Sequence, residues 1–236
     1  MADFTGMSPS TELDRGCYPA KRAAALSGVP LSTVYYWARH GPVRPSVSAT
    51  TERLWSYGDL IRLRTVYWLR QHRKQIGDRE IAATSLRVVR DLLETAQRYG
   101  HRIWTPAEGG RVHIVLLLDE SGTPYLDAEG LVDAAGHSPL LDREQLDLLG
   151  PFETDSARGP DLVMPRPRLR IVPGKCAGEP HLSGSRLRTR SLMALTARGF
   201  TAARLRDFYP HEDPVAIEEA VEFEQSLTPA LELAAA

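Results

Sequence analysis

Between Leu31 and Arg39 the chain places Ser32, Thr33, Tyr35, Tyr36 and Arg39. Short hydroxyls and an arginine on the opening turns of one helix can bond phosphate oxygens and the edges of bases in a major groove. Little else in the chain has the spacing that chemistry needs. HExxH, GxxxxGK[ST], GxSxG and a dinucleotide glycine fingerprint are all absent. His113, Asp119 and Glu120 are the one candidate set for metal-assisted hydrolysis, but Asp119-Glu120 reads better as a turn dipeptide after an apolar run. Cys17 and Cys176 are the two cysteines, so neither a disulfide framework nor a thiolate metal site is expected. The expectation is a binding protein, not an enzyme, without metal or cofactor.

The elements that would carry Ser32–Arg39 can be read locally. Pro19 suits the first position of a helix, and AKRAAAL has strong helical propensity. Ser27-Gly28 breaks it, and a second helix resumes at Leu31. A small Ala24 at the crossing, Gly28 in the left-handed turn and Val34 packing back are the requirements of a helix-turn-helix. Trp37 and one tyrosine are expected to face the core. Gly41–Leu54, rich in Pro, Ser and Thr and carrying Arg44 and Arg53, reads as a wing. Ser56 and Asp59 form a capping box for a third helix, with Leu60, Leu63 and Tyr67 in its apolar stripe and Arg62, Arg64 and Arg70 outside it. Glu80–Tyr99 is predicted to be a fourth helix with a packing seam.

Further along, Arg111–Asp119, Tyr125-Leu126 and Gly130-Leu131-Val132 suggest a small antiparallel sheet. Ser138–Leu149 reads as a short helix, Pro151–Pro167 as a linker and Leu169–Val172 as a strand. Three short helices then follow: one over Ser191–Arg198 ended by Gly199, one capped by Thr201, and one capped by Asp213 with Pro214 at its first position. The fold class expected is α+β, mainly helical. The division is a tail (1–15), a winged reader (16–100), an acidic β-rich segment (101–152), a linker (153–168), a trihelical domain (169–228) and a terminal tail (229–236).

The 236 residues carry a net charge of −1, which hides strong segregation. Residues 16–112 hold sixteen Lys and Arg against seven Asp and Glu, and residues 166–206 hold ten against one. Residues 113–165 hold two against eleven, and residues 207–236 none against eight. Two basic blocks suit polyanions; alternatively, basic and acidic blocks pair inside the molecule. No run of about 18 apolar residues occurs, and the first twenty residues lack a secretory pattern. A soluble protein of a reducing cytoplasm is expected.

YPAKRAAALSGVPLSTVYYWARHGPVRPS…RLWSYGDLIRLR resembles the DNA-binding domain of the MerR regulator family. The resemblance rests on Gly28, Tyr36-Trp37, Gly41 and Pro45, Trp55-Ser56 and Asp59-Leu60. It implies DNA contacts from Lys21, Ser32, Thr33, Tyr35, Tyr36, Arg39, Arg44, Arg53 and Tyr57. Tyr35 stands where the family usually has an arginine that touches DNA. A β-rich segment follows where the family has its long coiled-coil helix, so the usual dimer joint and effector pocket are not expected.

A second stretch, IVPGKCAGEPHLSGSR…ARGFTAARLRDFYPHEDPVAIEEAVEF, resembles the small domain of VapB-type antitoxins that partner PIN-like ribonuclease toxins. Pro173-Gly174, Gly178, Pro180, Gly184-Ser185-Arg186, Gly199, Thr201, Tyr209-Pro210 and Asp213 carry it. The family usually has Thr where this chain has Ser185. Together the two resemblances imply an antitoxin that silences a ribonuclease, binds operator DNA as a homodimer and represses its own operon. Because such toxins hold magnesium in a cluster of acids, Arg166, Arg168 or Arg170 would reach those acids, while Phe223, Leu227, Leu231 and Leu233 would dock elsewhere on the toxin. The same arginines could instead follow DNA phosphate. The alternative is a MerR-like regulator with no toxin partner.

Overall fold

The computed structural model describes residues 13–70, 73–74, 80–81, 83–85, 87–89, 115–118, 124–127, 145–154 and 157–232. Tyr18–Pro19 (β1) pairs antiparallel with Leu54–Trp55 (β2). Between them lie helices α1 (Ala20–Ser27) and α2 (Leu31–His40), and α3 (Tyr57–Leu69) follows β2. Gly28 ends α1 at φ 77°, and its N–H bonds Ala24 O. A Cβ on Gly28 would lie 2.6 Å from the backbone N of Gly159, so the turn needs glycine for its conformation and also for the close approach of a distant segment.

The capping box at α3 forms as expected. Ser56 accepts from the Asp59 N–H, and Asp59 accepts from the Ser56 N–H. Ser46 adds its own N–H and hydroxyl to Asp59, which ties the wing to the helix start. Every residue of α3 except Arg62 is buried. Arg64 is therefore inside the molecule, not outside the apolar stripe. Its guanidinium donates to the carbonyls of Leu26, Ser27, Gly150 and Pro160 and lies over the Phe152 ring. Burial pushes its pKa down to about 10, which leaves it charged at neutral pH.

The next elements revise three expectations. Glu80–Ile81 (β4) is a strand paired with Arg73–Lys74 (β3), with Lys74 opposite Glu80. Among the described residues of 80–99, those in helical conformation are 87–89, where Ser85 Oγ accepts from Val88 N. Residues 90–99 of the predicted fourth helix lie outside the described residues. The antiparallel sheet exists: Val115–Leu118 (β5) is flanked by Pro124–Asp127 (β6) and Gln145–Asp147 (β7). The last of these replaces the end of the helix expected over 138–149. Leu146 faces Leu116 across the ladder, and Asp147 ends the strand by accepting from Leu149 N. His113, Asp119, Glu120 and Gly130–Val132 lie outside the described residues.

The segment expected to be a linker is built into the core. Phe152–Thr154 (β8) pairs with Ala157–Gly159 (β9), and Leu162 is fully buried. Asp161 accepts from Val163 N and Met164 N, so the local Asp and Pro content makes a packed turn, not a free tether.

Leu169–Arg170 (β10) pairs with His181–Leu182 (β11) across one turn of 3-10 helix, Cys176–Gly178. Three helices follow: α4 (Thr189–Thr196), α5 (Ala202–Phe208) and α6 (Pro214–Glu232). Thr201 caps α5 by accepting from Arg204 N, and Asp213 caps α6 by accepting from Val215 N. The third helix has 19 residues and so is not short. Its length lets it pack against α4, α5 and α1 together. Leu192, Leu205, Ile217, Ala220, Phe223 and Leu227 are buried in one core with Tyr18, Trp55, Leu60 and Phe152.

Candidate nucleic-acid interface

Helix α2 has two unlike faces. Leu31 and Val34 are buried, and Trp37 and Ala38 pack against the core at the next turn. That leaves Ser32, Tyr35, Tyr36, Arg39 and His40 exposed and Thr33 half-buried. Both tyrosines are outside: Tyr35 is 37 % and Tyr36 62 % exposed. The aromatic partner of Trp37 is Tyr67 of α3, at 6.4 Å between ring centroids, so no tyrosine of α2 is needed inside. Tyr36 lies against the His40 ring, at 5.1 Å between centroids, and both are exposed.

The wing lies after α2. Leu54 N donates to Ser48 O and Leu54 O accepts from Ser48 N, closing a hairpin whose tip is 49–53. Arg44 is exposed and Arg53 half-buried on it, and Lys21 is exposed on the first turn of α1. Among the described residues, none of Lys21, Arg39, Arg44 and Arg53 has an ion pair. Tyr57 is different. It is wholly buried and its hydroxyl donates to Leu162 O at 2.8 Å, so it is not a DNA contact. At the first turn of a helix covered on all sides, its ring is enclosed by the segment after β9.

Four of the ten Lys and Arg over 166–206 meet carboxylates of the same molecule among the described residues. Arg168 bonds Asp213 at 2.6 Å and Glu219 at 2.9 Å, which hold its pKa above the usual arginine value. Arg206 pairs with Glu218, Arg204 with Asp207 and Arg190 with Glu179. The acidic end of the chain is thus in large part the counter-charge of the basic blocks. Among the described residues Arg166 and Arg170 bond backbone carbonyls and no carboxylate, the first that of Pro165 and the second those of Pro167 and Leu169. Phe223 and Leu227 are 1 % and 6 % exposed, so neither is an outer docking residue; the length of α6 turns that stripe onto α1 and α4. The side chain of Leu231, and Leu233 altogether, lie outside the described residues.

Sequence spacing gave no sign of the joint at Arg22. Its guanidinium bonds Glu224 twice, at 2.8 and 2.7 Å, and Glu179 at 2.9 Å. Burial opposes the charge, but the two carboxylates outweigh it and hold the pKa above the ordinary value. The Thr189 hydroxyl donates to Glu224, and the Thr189 N–H donates to Pro180 O at 3.0 Å. Tyr18 donates to Gly178 O at 2.7 Å, and its burial beside Glu179 raises its own pKa strongly. The helix-turn-helix and the C-terminal helices therefore share one packed boundary.

Two crossed helices, a wing and an outer face of hydroxyls and unpaired cations define a module that reads duplex DNA. Residues 18–78 match the family described as MerR HTH family regulatory protein, so this part of the chain is a MerR-family helix-turn-helix domain. Residues 170–223 match the family described as protein of unknown function DUF433. No curated protein and no solved structure matches the chain. Among the described residues no group of acids, histidines and cysteines could hold a metal ion, and no helix is long and apolar enough to cross a membrane.

Proposed function

We propose that the chain is an autorepressing antitoxin: it binds operator DNA through α2 and the wing, and its C-terminal domain engages a PIN-like ribonuclease. The observation that carries the DNA part is the outer face itself. Arg39, Arg44, Arg53 and Lys21 lack counter-charges among the described residues and share one side of the reader with the exposed hydroxyls of α2. Phosphate contacts would supply affinity and α2 the choice of sequence. A homodimer would present two readers to a symmetric operator.

The partner part rests on the resemblance of the C-terminal domain to antitoxin domains. Within it, Arg166 and Arg170 are the arginines of the 166–170 stretch that bond no carboxylate among the described residues, so they are the groups proposed to reach the toxin's acids. The burial of Phe223 and Leu227 against the reader favours a second reading, a MerR-like regulator whose C-terminal domain is a platform without a toxin.

A promoter fragment from the chain's own locus tests the first part. Arg39→Ala should lose about tenfold or more in affinity, one base contact being worth about 1–3 kcal/mol, with the melting temperature unchanged. Tyr57→Phe should bind DNA as the parent does. A chain that shifts no fragment at low ionic strength ends the reading. Co-expression with the neighbouring gene's product tests the second part. A complex that Arg166→Glu with Arg170→Glu dissolves supports the antitoxin, and no complex at all supports the regulator.

A further inference from the structure

We infer that the C-terminal domain adds a second, sequence-independent phosphate-binding surface beside the reader, formed by Lys175, Arg186 and Arg188. The turn that carries it is unusual. Cys176, Ala177 and Gly178 have φ of 55°, 56° and 80°, and two of the three are not glycine. Left-handed residues of this kind are costly and persist only where their surroundings hold them. Here the reader holds them: Cys17 N donates to Ala177 O at 3.0 Å, and Tyr18 Oη donates to Gly178 O at 2.7 Å. The turn is thereby pinned to the residues that lead into α1, whose first turn exposes Lys21.

Lys175 immediately precedes this turn, and Cys176 Sγ donates to Arg186 O at 3.5 Å, which brings Arg186 to the same place. Arg188 forms a bridge with His181, whose other neighbour across the ladder is Arg170. Lys175, Arg186 and Arg188 have no ion pair among the described residues, and Arg186 and Arg188 are exposed. The nearby acids are engaged: Glu179 by Arg22 and Arg190, and Glu212 by the Ser185 hydroxyl at 2.5 Å.

Position selects the partner. In a helix-turn-helix complex the first helix crosses the DNA backbone while the second enters the groove. Cations on a turn held to the residues just before α1 are proposed to meet phosphates that flank the contacted groove. An acidic protein would need the same charges but would not explain why the turn is pinned to the reader.

The inference rests on the DNA reading above, and salt titration of the full chain on operator and on random duplex separates the two. Replacing Lys175, Arg186 and Arg188 by alanine should weaken both duplexes by one common factor. It should also lower the log–log salt slope by about 2–3, each phosphate contact contributing about 0.9. Arg186→Lys with Arg188→Lys should keep the parental slope, which a packing role would not predict. A triple variant with parental slope and affinity, while Arg39→Ala loses discrimination, overturns this inference and leaves the reader intact. Loss on operator alone, or loss of an acidic protein partner with DNA binding unchanged, also overturns it. If neither variant changes binding to any duplex, the reader reading falls with it.

Discussion

Arg22 and Glu224 are 202 positions apart and face each other through two parallel hydrogen bonds of 2.7 and 2.8 Å. One lies on the first helix of the DNA-reading unit and the other midway along the chain's longest described helix. Their side chains are only 12 % and 8 % exposed. A planar guanidinium meeting a carboxylate edge to edge sets the angle between α1 and α6 as well as their contact.

Removing one member of that pair takes two charge-assisted hydrogen bonds out of a buried cluster that also holds Glu179 and Thr189. Arg22→Met or Glu224→Leu alone should cost about 3–5 kcal/mol in denaturant unfolding. The double variant should cost clearly less than the sum, because two apolar side chains can share the space. Strictly additive losses would show that the two groups do not sense each other.

Two glycines with nearly the same backbone separate conformation from crowding. Gly28 and Gly184 have φ of 77° and 79°, but a Cβ at Gly184 would meet nothing within 4 Å. Gly184→Ala should therefore cost about 1–2 kcal/mol, the left-handed penalty alone. Gly28→Ala should cost more, because the backbone of Arg158 and Gly159 must also move. Equal losses by thermal unfolding would contradict the close packing of β9 on the turn.

Acid should weaken the C-terminal half through His181. Burial holds its pKa below 6.5; the positive charges of Lys175 and Arg170 act in the same direction, and the Nδ1–H bond to Glu179 O in the opposite one. Below about 6.5 the unfolded chain takes up a proton that the folded chain resists, so stability falls as pH drops through that value. His181→Asn should flatten this limb of the stability–pH curve. An unchanged slope would assign the acid sensitivity to other groups.

The local devices were legible in the sequence because each depends on neighbours within a few residues. The α1–Gly28–α2 unit follows from helix propensity and one left-handed position. The Ser56–Asp59 box and the Thr201 and Asp213 caps follow from oxygens placed two or three residues from the N–H they receive. The outer face of α2 was legible for the same reason, apart from the tyrosine assigned to the core. Strand pairing at Glu80–Ile81 and Gln145–Asp147 was not, since a short apolar or charged run has no helical or extended identity until its partner strand is known.

What only the tertiary structure decided is which polar groups lose their water. Arg64, Tyr57 and Arg22 look on paper like surface residues of amphipathic helices, and Phe223 and Leu227 like a free apolar stripe. Periodicity marks a face, but the energy of that face depends on what covers it. The covering segments lie 105 residues from Tyr57 and 202 from Arg22. Desolvation and the carbonyls or carboxylates that compensate for it arrive together from those distant segments, and no local pattern encodes them.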